Sequence, residues 1–149
     1  MIAGIQSVPS PGLIVFPDRV HANITRMIQM AGSPDRLRPH LKTAKMPEIV
    51  ALYLDAGIYQ FKCATLSEMR MALLAGAKDV LLAYQPLGPN VAKLASLAKE
   101  HPKTKLSSDV DHSSAVERLA ETEAAVGIYT DIDSGMHRTG LPEGDKPPQ

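Results

Sequence analysis

The 149-residue sequence has no tryptophan, two phenylalanines, four tyrosines, one cysteine and no net charge. Each shortage excludes something. The lone Cys63 rules out an intrachain disulfide framework and points to a reducing compartment, so a cytoplasmic protein is expected. Sixteen basic against 16 acidic side chains leave no electrostatic footprint for nucleic acid or an anionic membrane surface. No apolar run approaches the roughly 18 residues of a membrane span. The first residues lack the basic start and apolar block of a secretory signal. What remains is unexceptional: 44% apolar and 21% charged residues suffice for one cored domain and argue against wholesale disorder.

Short apolar runs alternate with longer stretches of helical periodicity. The pattern predicts strands near Leu13 to Phe16, Leu37 to Leu41, Tyr59 to Ala64, Asp79 to Ala83, Lys105 to Val110 and Ala125 to Ile132. It predicts helices over Asp18 to Ala31, Pro47 to Ala56, Leu66 to Ala75, Val91 to Glu100 and Ser113 to Glu121. Thr65 followed three residues later by Glu68 reads as a capping box, and Gly57 and Gly76 stand just past helix ends. Pro47 suits a first helical turn, and Asp111 is expected to cap the helix after it. Pro142, Pro147 and Pro148 loosen the tail.

Strands alternating with helices mean repeated βα units and a parallel sheet, hence an α/β fold. A complete eight-stranded (β/α)8 barrel needs about 250 residues, and this chain holds about five units. It is either a small open α/β sheet or the leading part of a barrel. The sequence stops in Leu141 to Gln149 without a helix to cover its last strand, so we read residues 1–149 as a partial TIM barrel.

Chemistry concentrates in two segments. In the first, Arg38-Pro39-His40-Leu41-Lys42-Thr43-Ala44-Lys45, alternation along a strand puts Arg38, His40 and Lys42 on one face. In a barrel that face looks inward, where three cations need an anionic partner. A lysine in such a place suits Schiff-base chemistry with an aldehyde. A half-exposed edge strand with a solvated basic face is the plain alternative. In the second, Tyr129-Thr130-Asp131-Ile132-Asp133-Ser134-Gly135-Met136-His137-Arg138-Thr139-Gly140, two glycines bracket a loop at a strand's C-terminal end, where barrel active sites are built. Arg138 can donate a fork of hydrogen bonds to an oxyanion there. An ordinary turn with a surface ion pair would explain the same residues, and two aspartates one residue apart are a weak metal signal.

Taken together, these segments resemble the alanine racemase N-terminal-domain superfamily, the fold-type III pyridoxal phosphate enzymes. Within it the chain is most similar to the D-threonine aldolase and metal-activated D-serine dehydratase group. The likeness begins at Ser10-Pro11-Gly12-Leu13-Ile14-Val15 and runs through Arg38-Pro39-His40-Leu41-Lys42-Thr43. It continues in Lys62-Cys63-Ala64-Thr65-Leu66-Ser67-Glu68, Ala75-Gly76-Ala77-Lys78-Asp79-Val80 and Gly88-Pro89-Asn90, and ends in Asp133-Ser134-Gly135-Met136-His137-Arg138-Thr139-Gly140. It therefore spans essentially the whole chain.

The resemblance implies that Lys42 carries pyridoxal phosphate as a Schiff base and that Arg138 approaches the cofactor's phenolic oxygen. It extends the candidate cofactor site to Arg38, His40 and His137. It implies a lyase acting on D-3-hydroxy amino acids, either an aldolase giving glycine and an aldehyde or a dehydratase in which Lys42 removes the α-proton. A divalent metal such as Mn or Zn is implied for the complete enzyme, with ligands in a C-terminal β domain and none in this chain; a homodimer is expected of the complete protein. One departure stands out: Ala44 occupies a position where the family often has histidine. A cofactor-binding protein without turnover, or an inactive fragment, are the competing readings. Among other residues, Cys63 reads as a buried filler and Lys45 as a loop cation. Tyr84 and Gln85 end a strand where they could touch cofactor or substrate.

Overall fold

The computed structural model describes residues 4–142 and Gly144; Pro147 and Pro148 lie outside the described residues. Five helices, α1 (Pro17–Ala31), α2 (Pro47–Asp55), α3 (Leu66–Leu74), α4 (Pro89–Glu100) and α5 (Ser113–Ala120), alternate with four strands. The strands β1 (Gln60–Cys63), β2 (Asp79–Leu82), β3 (Lys105–Val110) and β4 (Val126–Thr130) form one sheet in chain order. Every pairing is parallel, as βα repetition requires.

The helix ends follow local chemistry. Proline opens α1, α2 and α4, where its missing N–H costs nothing. Thr65 Oγ1 accepts the Glu68 N–H at 3.1 Å, and Glu68 Oε2 accepts the Ala64 N–H at 2.8 Å. The expected capping box is therefore present, reaching one residue further back than usual. The cap of α5 is His112, whose Nδ1 accepts the Ser114 N–H at 3.2 Å, rather than Asp111.

Strand register sorts the sheet into two faces. Phe61, Val80, Leu106 and Val126 stand in one row, and Cys63, Leu82, Ser108 and Ile128 in the next. Phe61, Cys63, Val80, Leu82 and Leu106 of these rows pack under the helices with Val50, Ile58, Met69, Leu94 and Leu119, whereas Ile128 on the last strand is 42% exposed. Burial pushes the Cys63 thiol up to about 12, which suits a filler and not a nucleophile. On the opposite face, the row of Gln60, Asp79 and Lys105 lies below the row of Lys62, Leu81, Ser107 and Gly127. A Cβ on Gly127 would lie 2.7 Å from Ser107 Oγ, so a larger residue there would require the Ser107 side chain to move.

Two expected strands are absent. Residues 13–16 have no regular structure, and Leu13 is largely exposed. The stretch over Leu37 to Leu41 makes a single bridge, His40 to Lys62, before turning into a 3-10 helix, Leu41–Thr43. Pro39 explains the second case: its carbonyl accepts the Lys62 N–H at 2.9 Å, but it has no N–H to donate to a ladder. Instead of a ladder, the segment is held by Arg38. Its Nη1 and Nη2 reach Asp79 Oδ1 and Oδ2 at 2.7 and 2.9 Å. They also donate to the Phe61 carbonyl at 3.2 Å and to Gln60 Oε1 at 3.0 Å. Lys105 Nζ approaches the same carboxylate at 3.8 Å.

The fork is largely shielded, with side-chain exposures of 22% for Arg38 and 15% for Asp79. Removing one partner strands the other charge. Asp79→Asn should therefore lower the unfolding free energy by about 3 kcal/mol, measured by urea denaturation. In the double variant Arg38→Met, Asp79→Leu, a substantial part of that loss should return, whereas simple additivity of the two single losses would show that the pair does not anchor the segment.

Candidate functional site

A cavity of about 580 Å³ opens at the C-terminal ends of the strands. Its wall includes His40, Lys42, Lys62, Asp109, Asp131 and Arg138. Parallel βα sheets bind ligands at this end because strand-following loops, not strand interiors, meet there.

Lys42 lies in the middle of the 3-10 turn that follows the single bridge. The turn is capped by its neighbour: His40 Nδ1 accepts the Lys42 backbone N–H at 3.2 Å. A nitrogen that accepts carries no proton, so we assign the neutral ring with its hydrogen on Nε2. Burial lowers the His40 pKa, and the ammonium groups of Lys42 and Lys62 lower it further. The assignment and the electrostatics agree.

Arg138 reaches the cavity from the loop after β4. That loop closes on itself: the Asp133 N–H donates to the Leu141 carbonyl and the Leu141 N–H to the Asp131 carbonyl, each at 2.9 Å. The closure needs Gly140, which sits at φ +96° and where a Cβ would lie 2.7 Å from the Asp133 nitrogen. Inside the loop, Asp133 accepts the backbone N–H groups of His137 and Gly135, each at 2.9 Å. Those bonds, with the His137 ring at 3.0 Å from Asp133 Oδ2, hold the Asp133 carboxyl below the usual aspartate value.

Of the expected site residues, Lys42, His40 and Arg138 therefore line one cavity, and Tyr84 and Gln85 join them. Two do not. Arg38 faces the same way as His40 but sits one row lower, where its hydrogen bonds to Asp79 hold its pKa above the ordinary arginine value. Alternation correctly set its face, but only the register shows that its anionic partner is a carboxylate of the protein. His137 is 85% exposed and pairs with Asp133, outside the cavity wall.

Lys62, Asp109 and Asp111 line the cavity without having been singled out. For Lys62 and Asp109 the available signal was alternation along β1 and β3, once the cavity face was known. The Asp111 backbone N–H donates to Gln85 Oε1 at 2.9 Å, linking the ends of β2 and β3. Among the described residues, no group of three or more His, Cys, Asp or Glu is placed to hold a metal ion.

With this geometry in view, comparison with known proteins is informative. The alanine racemase N-terminal domain family matches residues 15–148. A D-threo-3-hydroxyaspartate dehydratase from a Delftia species is 30% identical over 146 residues, which is 95% of this chain and 38% of that protein. A D-threonine aldolase from an Arthrobacter species is 30% identical over 139 residues, 90% of this chain and 36% of its own length. The crystal structure of D-threonine aldolase from Filomicrobium marinum superposes with a TM-score of 0.81 at 29% identity, covering 95% of this chain and 39% of that one. The chain thus spans less than two fifths of the length of the relatives it matches.

The acidic side of the cavity yields a pH test. Burial raises the Asp109 pKa above the usual aspartate value, Lys62 pulls it down and Asp131 pushes it up. The folded chain therefore holds this proton to higher pH than the unfolded chain. Asp109 costs stability as pH rises from the unfolded value through the folded one. Asp109→Asn should raise the melting temperature at pH 7, and the gain should vanish below about pH 3.9. A gain that persists unchanged in acid would assign it to another cause.

Proposed function

The chain belongs to the alanine racemase N-terminal domain family of fold-type III pyridoxal phosphate proteins, and on that premise we propose that it binds pyridoxal phosphate through Lys42 and forms the barrel part of a lyase for D-3-hydroxy amino acids. We take residues 1–149 as the N-terminal portion of that barrel. The observation that carries the reading is the meeting of Lys42 and Arg138, from segments almost a hundred residues apart, in one cavity at the catalytic end of a parallel sheet.

The residues present suit the cofactor. Lys42 offers an amine for its aldehyde, and Arg138 a planar fork for an oxygen anion. When bound, pyridoxal phosphate supplies an electron sink for charge released at the substrate α-carbon. The chain's own residues do the rest. His40 holds the Lys42 turn through its Nδ1. To Lys42 Nζ we assign the taking and returning of a proton at the α-carbon. Asp109, Asp111 and Asp131 give the cavity carboxylates that can balance its cations or accept a proton from a substrate hydroxyl.

A divalent metal does not fit the described residues, which offer no cluster of ligands, and no step is derived through one. Two outcomes of the same chemistry stay in view because both kinds of relative are present. Loss of the β-hydroxyl proton with Cα–Cβ cleavage gives glycine and an aldehyde. Loss of the α-proton to Lys42 and of the β-hydroxyl as water leaves an enamine, which tautomerises to an imine and takes up water to give ammonia and a 2-oxo acid. We favour the first, since the Filomicrobium aldolase superposes with a TM-score of 0.81 against 0.77 for a D-threo-3-hydroxyaspartate dehydratase.

Reduction with borohydride in the presence of pyridoxal phosphate should attach the pyridoxyl group to Lys42, as read by peptide mapping; a label on Lys45 or Lys62 instead would defeat the assignment. The complete protein should convert D-threonine to glycine, leave L-threonine untouched and lose turnover by several orders of magnitude as Lys42→Ala. Ammonia in place of glycine would move the reading to the dehydratase. Residues 1–149 alone should bind the cofactor weakly and turn over little, because the groups that complete the site are not held in place.

A further inference from the structure

The turn that carries Lys42 ends in a contact that the reaction does not require. Lys45 stands at φ +52°, a left-handed conformation that a lysine rarely adopts. Its backbone N–H is used, donating to the Leu41 carbonyl at 2.9 Å, and its Nζ lies 3.4 Å from Glu68 Oε1. Glu68 is 5% exposed. Its other oxygen caps the start of α3 by accepting the Ala64 N–H at 2.8 Å, beside the strand end that lines the cavity. A carboxylate this buried needs a cation, and Lys45 supplies it from the turn that presents Lys42.

We infer that Lys45 and Glu68 form a clamp that positions Lys42, tying the 3-10 turn Leu41–Thr43 to the capping box of α3. The inference rests on the reading of Lys42 as the cofactor lysine. With Pro39 limiting the preceding segment to one bridge, the turn has few backbone attachments to the sheet. Arg38 pins it below and the clamp pins it above. The clamp also shields His40 from Glu68, whose charge raises the His40 pKa against the lowering by burial, Lys42 and Lys62. Asp109, Asp111, Asp131 and Arg138 face the same cavity, so the charges around His40 come from three sides: the turn, β1 with α3, and β3 and β4 with the segments that follow them. Without Lys45, whose Nζ stands 3.4 Å from Glu68, less positive charge offsets Glu68 near His40, although Lys42 and Lys62 still oppose it. Protonation of His40 then removes the Nδ1 lone pair that holds the Lys42 N–H.

The test uses Lys45→Met and Lys45→Arg, both at a side chain that is 61% exposed and so compatible with folding. Two readouts are taken on the complete protein: borohydride-trapped pyridoxyl labelling of Lys42, and titration of His40 by proton NMR. Lys45→Met should slow labelling roughly tenfold and shift the His40 titration upward, with the far-UV circular dichroism unchanged. Lys45→Arg should restore both. If the wild type labels at Lys42 and Lys45→Met matches it in rate and in His40 titration, the clamp is overturned and the Lys42 reading survives. If the wild type does not label at Lys42, that reading fails and the clamp fails with it. Should Lys45→Met not fold, Lys45→Gln, which keeps a donor without the charge, decides: wild-type behaviour on both readouts overturns the proposal.

Discussion

A proline at the edge of the sheet sets the terms for everything at the site. Pro39 can accept from Lys62 but cannot donate, so the segment carrying His40 and Lys42 meets β1 through one bridge. Backbone hydrogen bonding cannot place Lys42; side chains must. The Arg38 fork on Asp79, with Gln60 and Lys105 around it, supplies that placement from a row below the cavity. The turn above that anchor is short and lightly tied to the sheet.

The same logic explains why the inner face of this sheet carries charge at all. In a filled barrel, branched apolar side chains occupy that space. Here the lower row is neutralised internally, with Asp79 facing Arg38 and Lys105, so it acts as a polar floor. The upper positions hold Lys42, Lys62 and Arg138 with Asp109, Asp111 and Asp131 around an open volume. Among the described residues the ion pair beside this cavity ties Lys45 to Glu68. Cations and carboxylates held apart around a cavity invite a ligand that carries both kinds of complementary group, which an amino acid and a phosphorylated pyridine do.

Much of this could be read before any fold was known. Pro17, Pro47 and Pro89 at helix starts, the Thr65 and Glu68 box and the glycines at 57 and 76 mark boundaries by local chemistry, and four of the expected strands and all five helices occur within a few residues of where periodicity puts them. The two missing strands failed for a nonlocal reason: an extended apolar segment becomes a strand only if a neighbour offers a ladder, and residues 13–16 have none in the described structure. Likewise, alternation put Arg38, His40 and Lys42 on one face but could not say how deep each lies.

What the sequence determined by itself, then, was the order of βα units, the helix caps and the two segments, around Lys42 and Arg138, whose residue types suit a cofactor aldehyde and an oxyanion. These are local properties, governed by periodicity, φ preferences and functional-group chemistry. Only the tertiary structure decided which of the basic residues face a ligand and which face the protein. Arg38 finds Asp79 41 residues away, His137 turns to Asp133 and leaves the cavity, and Lys62 and Asp109 enter it. Strand register and loop closure fix those distances, and a charge is free or satisfied according to what stands within a few ångströms of it.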